Sequence, residues 1–284
     1  MKLVKPEFQI VEPTGYTIDD IYKSIELAGR VSHRSEDKIT ETSANTFVDR
    51  MINMNHLATC EFGTIYLKIP TGKYQFLDND YFDECDDIKD SFYSNPYTKI
   101  HCQEGYHYIS TNYRVLLENF SKEFIPELLQ YLCEPTEFHR KRYTVKFILD
   151  RAIANEFVRH RKFSFLQEST RYCLYSSNKF NNELTFIMPC WAVGIYYPNW
   201  LLTLHNIEDT YMELTKSGWK AEQARSILPL SLKTELYMCG FAEDWKKFFE
   251  LRSKKYGVGN PHPQADELAT PLYEEFIKRG YINE

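Results

Sequence analysis

No stretch of the chain approaches 18 uninterrupted apolar residues, and the opening MKLVKPEFQIVEPTG carries no long apolar run. Neither a membrane span nor secretion is therefore expected. Nowhere do two cysteines stand as CxxC. Cys60, Cys85, Cys102, Cys133, Cys173, Cys190 and Cys239 are odd in number and scattered, which fits reduced thiols in a cytoplasmic protein rather than a disulfide framework. Positive charge is also scarce: 34 Lys and Arg face 40 Asp and Glu, a formal net charge of −6, which argues against a general polyanion binder. Any anion site must then be local. No internal repeat, Gly/Ser linker or low-complexity tract divides the 284 residues, and 43% apolar content is enough for a core. The expected fold class is α+β, one domain over 1–284 with a central sheet flanked by helices.

The periodicity places the elements. TIDDIYKSIELAGR opens on Thr17 and early acids and spaces Ile21 and Ile25 helically up to Gly29. TSANTFVDRMINMNHL repeats Phe47, Met51 and Met54 as a helix, and EFGTIYLKIP reads as a strand ended by Pro70. Residues 73–105 are acidic and tyrosine-rich without a sustained period, so an inserted loop is expected there. Beyond it come a short helix in FIPELLQYLCEP, a strand in YTVKFILDR leading into a helix over AIANEFVRHRK, and a short strand in LTFIMP. Helices are expected from Asn199 to Gly218 and over 219–228, 243–256 and 263–279.

Three of these helices place an arginine where the stripe should be apolar. Arg225 follows Ala221 and Ala224, Arg252 follows Trp245, Phe248 and Phe249, and Arg161 follows Ala154, Phe157 and Val158. A guanidinium cannot shed its charge, so each needs an anion or a set of acceptors. For any one of them a buried carboxylate suffices. Three together point to a shared anionic ligand or a subunit interface, with phosphate and planar imide groups as natural partners. His160, between two cations and with no second ligand at metal spacing, is expected as a neutral imidazole against a flat heterocycle rather than as a zinc ligand.

RHRKFSFLQES, an RHR followed by seven residues and Ser169, resembles the signature of the flavin-dependent thymidylate synthases. The resemblance extends through ELAGRVSH (26–33), MINMNHLATCEFGTIYL (51–67), EFVRHRKFSFLQESTRY (156–172), ARSILPLSLKTELY (224–237) and FFELRS (248–253), most of the chain outside the insertion. It implies formation of dTMP from dUMP, with methylene-tetrahydrofolate as carbon donor and FAD, reduced by NADPH, as hydride source. It also implies a homotetramer whose sites gather residues from several subunits. On the flavin side it implies Arg159, His160, Arg161, Gln167, His56 and Glu61. On the dUMP side it implies Glu156, Arg159, Ser169, Arg171, Arg225 and Arg252, with Arg252 also favouring ionisation of the imide. Ala58 stands where Ser or Thr is usual, and Phe241, Glu243 and Lys247 replace residues that contact FAD in some members.

Such chemistry needs no enzyme nucleophile: oriented cations stabilise the developing charge and the flavin carries the hydride. No metal, nucleic acid or membrane partner is expected. Two other readings compete. Cys190 in MPCW suits a cysteine-dependent pyrimidine methyltransferase, and RHR with Phe163, Phe165, Tyr172 and Tyr175 suits an RNA-stacking surface.

Overall fold

The computed structural model describes residues 1–74, 95–192, 194 and 197–283. Its strands fall into three sheets rather than one. The largest runs in the order β2 (Glu7–Val11), β6 (Arg142–Asp150), β9 (Lys233–Phe241), β7 (Ser164–Gln167), antiparallel throughout. A second runs β3 (Thr64–Pro70), β5 (Tyr106–Asn112), β4 (Lys99–Gln103), and β1 (Lys2–Val4) pairs in parallel with β8 (Thr185–Ile187).

One face of the four-stranded sheet carries the densest core. Val145, Phe147 and Leu149 of β6 and Leu236 and Met238 of β9 alternate onto that face. They pack against Phe157 of helix Arg151–Phe157, Trp245, Phe248 and Phe249 of helix Ala242–Arg252, and Leu272 and Phe276 of helix Pro263–Lys278. The other face turns Tyr237 and Cys239 toward Ala28, Val31 and Phe62. A second core joins the three-stranded sheet to helices Ile18–Gly29 and Ser43–Asn53. A third sits under the long helix Tyr197–Lys216.

The first helix begins where the sequence places it. Thr17 accepts from the Asp20 amide and the Asp20 carboxylate accepts from the Thr17 amide, so both ends of a capping box are closed. Met54 lies past the end of its helix and is 53% exposed, so it does not extend the Phe47 and Met51 stripe. The expected inserted loop is corrected at its C-terminal end: Lys99–Gln103 is a strand, held in register by Tyr106–Ser110. Residues 75–94 of that stretch lie outside the described residues. No helix among the described residues is long and apolar enough to cross a membrane.

Candidate functional site

Asp150 caps the helix that leads to the RHR motif, its Oδ1 accepting from the Ile153 amide at 2.8 Å. That helix ends at Phe157, one turn short of the expected end. Arg159, His160 and Arg161 therefore occupy a turn, pinned between buried Phe157 and buried Phe163. The His160 amide donates to the Phe157 carbonyl and the Phe163 amide to the His160 carbonyl, both at 3.0 Å. Phe163 seats on Gly240 of β9, where a Cβ would stand 2.5 Å from its ring, so glycine there lets the turn lie close to the sheet.

This geometry corrects one arginine of the three. Arg161 does not continue an apolar stripe; it is exposed in the turn, as is Arg159. Arg225 is corrected as well: its helix is only Ala221–Ala224, the chain passes into a 3-10 turn, and Arg225 is exposed there. Pro229 disfavours helix at Leu228, which accordingly is extended with ψ 132°. Only Arg252 keeps the predicted place, largely buried at the end of helix Ala242–Arg252.

Arg252 organises the motif. Its Nε donates to His160 Nε2 at 3.0 Å, one terminal nitrogen donates to the Glu156 carbonyl at 3.0 Å, and the other pairs with the Glu156 carboxylate. Because a guanidinium only donates, His160 Nε2 must accept, so the imidazole is neutral and carries its proton on Nδ1. Burial, reinforced by the Arg252 charge, lowers the His160 pKa to about 4. Phe248 meets the ring edge-on at 5.1 Å. The result is a neutral imidazole, a guanidinium and a half-buried carboxylate in one hydrogen-bonded row.

The remaining predicted residues lie in other places. Glu61 ends the 3-10 turn Leu57–Phe62, and its carboxylate accepts from Arg114 at 2.7 Å, a partner not read from the sequence. His56 and Ala58 are exposed on the same turn. Gln167 donates to the Thr234 hydroxyl at 3.2 Å, tying it to β9. Ser169 donates its amide to the Ser32 carbonyl at 3.1 Å, and exposed Arg171 lies over the Tyr172 ring, which stacks on His33 at 4.2 Å. No hydrogen bond or ion pair among the described residues joins Ser169, Arg171 or Arg225 to the Arg252 row.

Beneath Gln167 and Ser169 lies a second charged cluster that the sequence reading missed. Glu168 is 1% exposed and accepts from Tyr175 at 2.8 Å, Lys233 at 3.0 Å and Arg34 at 3.3 Å. Glu235 meets Lys233 and Arg34 at 2.6 Å and Lys146 at 2.7 Å. Burial alone would raise its pKa, but Lys233 and Arg34 outweigh that and hold it at about 2. The available signal was Glu235 itself, a carboxylate followed by the apolar run Leu236–Cys239 and preceded two residues earlier by Lys233.

Of the competing readings, the thiol one loses support: burial, with Glu267 nearby, pushes the pKa of exposed Cys190 up, away from a thiolate. The stacking surface is corrected, since Phe163 and Tyr175 are buried and Tyr172 alone among its four rings is exposed. Phe241 is 2% exposed, which turns it away from a ligand, whereas Glu243 is partly exposed and lies 3.8 Å from Lys99. Among the described residues no three His, Cys, Asp or Glu side chains are placed to hold a metal ion.

Comparison with known proteins supplies the family. The model of the thymidylate synthase complementing proteins matches residues 99–279, more than half of the chain, and the chain belongs to that family. It is 29% identical over 170 residues to the flavin-dependent thymidylate synthase of Pyrococcus furiosus, spanning 58% of this chain and 66% of that one. It is 30% identical over 146 residues to a probable flavin-dependent thymidylate synthase of Paramecium bursaria Chlorella virus 1, spanning 48% and 66%. The chain thus spans just under two thirds of these curated relatives. Among solved structures, a UMP/dUMP methylase PolB from Streptomyces cacaoi bound with 5-Br UMP is similar at TM-score 0.45 and 14% identity, over 98% of this chain and 92% of that one. Thymidylate Synthase X from Helicobacter pylori with FAD and dUMP gives TM-score 0.36 and 23% identity, over 47% and 66%.

Proposed function

We propose that the chain is a flavin-dependent thymidylate synthase that makes dTMP from dUMP, with methylene-tetrahydrofolate as carbon donor and NADPH-reduced FAD as hydride source. The observation that carries this reading is the hydrogen bond from Arg252 to His160, which fixes a neutral imidazole between the two cations of the RHR turn. The residues present suit an anionic flavin nucleotide. Arg159 and Arg161 are exposed without an ion pair among the described residues, and His160 Nδ1–H is left as a donor beside them. Bound there, FAD would supply the hydride chemistry. The chain's own part is to orient and to stabilise charge.

Arg252 supplies positive charge for a pyrimidine imide, lowering the cost of its ionisation, while Glu156 holds the guanidinium in place. Gln167, Ser169 and Arg171 line the nucleotide side. Arg225, exposed and far from the row in contacts, is assigned to a site completed by another subunit, which keeps the homotetramer part of this proposal. His56 and Glu61 are assigned to the flavin, with Arg114 steadying Glu61. A cytoplasmic setting and NADPH as reductant belong to the same reading.

The test is to purify the protein, record its flavin absorbance, and assay dTMP formation from dUMP with methylene-tetrahydrofolate and NADPH. A yellow protein with turnover supports the assignment. A colourless protein that FAD cannot reconstitute, or turnover that persists without flavin, overturns it.

A further inference from the structure

A cavity of about 450 Å³ lies away from the Arg252 row. It is enclosed by the 12–16 loop, helix Ile18–Gly29, β6 and β9 of the four-stranded sheet, and the turn after helix Pro263–Lys278. None of the residues assigned to flavin or dUMP lines it. Its size falls in the range of about 300 to 1,000 Å³ usual for small-molecule sites.

Its walls are aromatic and its charge is lopsided. Tyr16, Tyr66, Tyr143, Tyr237 and Tyr281 all face it; Tyr143 and Tyr281 stack at 4.0 Å, and Tyr16 meets Tyr66 edge-on at 5.7 Å. Lys23, Lys141, Arg142 and Arg279 line it, against Glu12 as the one lining carboxylate. Arg279 pairs with Glu12 at 2.7 Å, whereas exposed Lys23 and Lys141 and buried Arg142 make no ion pair within 4 Å among the described residues.

Arg142 is the informative member. It is 7% exposed, and its terminal nitrogens donate to the Glu61 and Thr111 carbonyls and to the Thr64 and Ser164 hydroxyls. Those acceptors are all neutral, so the guanidinium charge stays uncompensated, and Nε has no acceptor at all. Tyr237 adds a second signal. It is 3% exposed, lines the cavity, and its hydroxyl makes no hydrogen bond among the described residues. That hydroxyl is therefore free to donate to a molecule in the cavity.

We propose that this cavity binds a flat aromatic anion, its ring held between the tyrosine faces and its acidic group turned toward Arg142 and Lys141, at a site separate from those of flavin and dUMP. A bare inorganic anion would leave the ring walls unused. An uncharged ring would leave the cations uncompensated. Tyr237 then serves as the hydroxyl donor to the acidic group or to a ring substituent.

The test is isothermal titration of the intact protein with 2-naphthoate and with its neutral counterpart 2-naphthamide, repeated with saturating dUMP. The expected result is saturable binding of one naphthoate per chain, at least tenfold tighter than the amide and not displaced by dUMP. Tyr237→Phe and Lys141→Ala should each weaken naphthoate roughly threefold to tenfold, as loss of one hydrogen bond or charge contact implies. Absence of saturable naphthoate binding, equal affinity for acid and amide, displacement by dUMP, or unchanged affinity in both variants overturns the proposal. The readout needs neither flavin nor turnover, so it stands or falls apart from the proposed reaction.

Discussion

The two charged clusters of this protein are built from the same side chains and behave oppositely. Around Glu168 and Glu235, every carboxylate is met by Arg34, Lys233, Lys146 or Tyr175, and both carboxylates are nearly inaccessible. Around Arg252, one carboxylate and one neutral imidazole leave open donors and acceptors, with the Glu156 side chain 35% exposed. The closed cluster neutralises its own charges and fastens β7 and β9 to the turn after the first helix. The open one is incomplete without a partner. Burial with every charge opposed marks structure; partial pairing at the end of a helix's apolar stripe marks a site.

That contrast can be broken by mutation. Glu235→Ala should give the largest effect, because it takes the one carboxylate from Lys146 and leaves Glu168 alone to serve Arg34 and Lys233; a loss of about 3 to 5 kcal/mol is expected, read by urea unfolding. A loss under about 1 kcal/mol would show that the closed cluster is not structural. Arg252→Ala should act elsewhere, weakening dUMP binding tenfold to a hundredfold, about 1.5 to 3 kcal/mol, with a smaller drop in melting temperature than Glu235→Ala. Unchanged dUMP affinity with a large drop in melting temperature would make Arg252 a second structural arginine.

Acid separates the two clusters as well. The His160 pKa is lowered in the folded protein, so the unfolded chain binds a proton first, and stability is lost as pH falls from about 6.5 toward about 4. Glu235, lowered to about 2, contributes stability above the usual carboxylate range that disappears only as pH falls through the window from about 4.5 to about 2. Unfolding free energies measured against pH should therefore flatten in the upper window for His160→Gln and in the lower one for Glu235→Gln. Parallel curves for wild type and His160→Gln between pH 6.5 and 4 would contradict the neutral imidazole. Arg225→Ala should do least to the fold, within about 0.5 kcal/mol, since the side chain is exposed. Its effect on dUMP affinity is expected only in the assembled oligomer, which size-exclusion chromatography beside the titration will separate.

The legible parts of the molecule were those with local causes. Thr17 with Asp20 announces a helix start, and RHR with Ser169 announces a motif, because each signal lies within a few residues. Strand β9 was not legible: Thr234 to Phe241 are all buried, so there is no alternation to read, and its pairing partners begin some ninety residues earlier. Strands β1 and β2 flank Lys5 and Pro6 and are too short to show a period. Arg161 and Arg225 were misplaced for one shared reason. A helical stripe was extended past the residue where the helix stops, at Phe157 in one case and Ala224 in the other. Of the site, Arg252, His160 and Glu156 could be singled out in the sequence but not their mutual bonds, which span 92 and 96 residues, just as Arg34 meets Glu168 across 134.

The register of the four-stranded sheet also sets an order of events. Glu7 pairs with Ile148 and Asp150 with Lys233, so β2 and β6 gain their full set of neighbours only after residue 241 has been made. The three-stranded sheet closes over shorter distances, Thr64 with Asn112 at its widest. Loop closure over a longer span is slower, so the β3–β5–β4 sheet should acquire amide protection in pulse-labelled refolding before β6 and β9 do. During synthesis the first helix and its turn must wait, unfastened, for the half of the chain that carries Glu168 and Glu235.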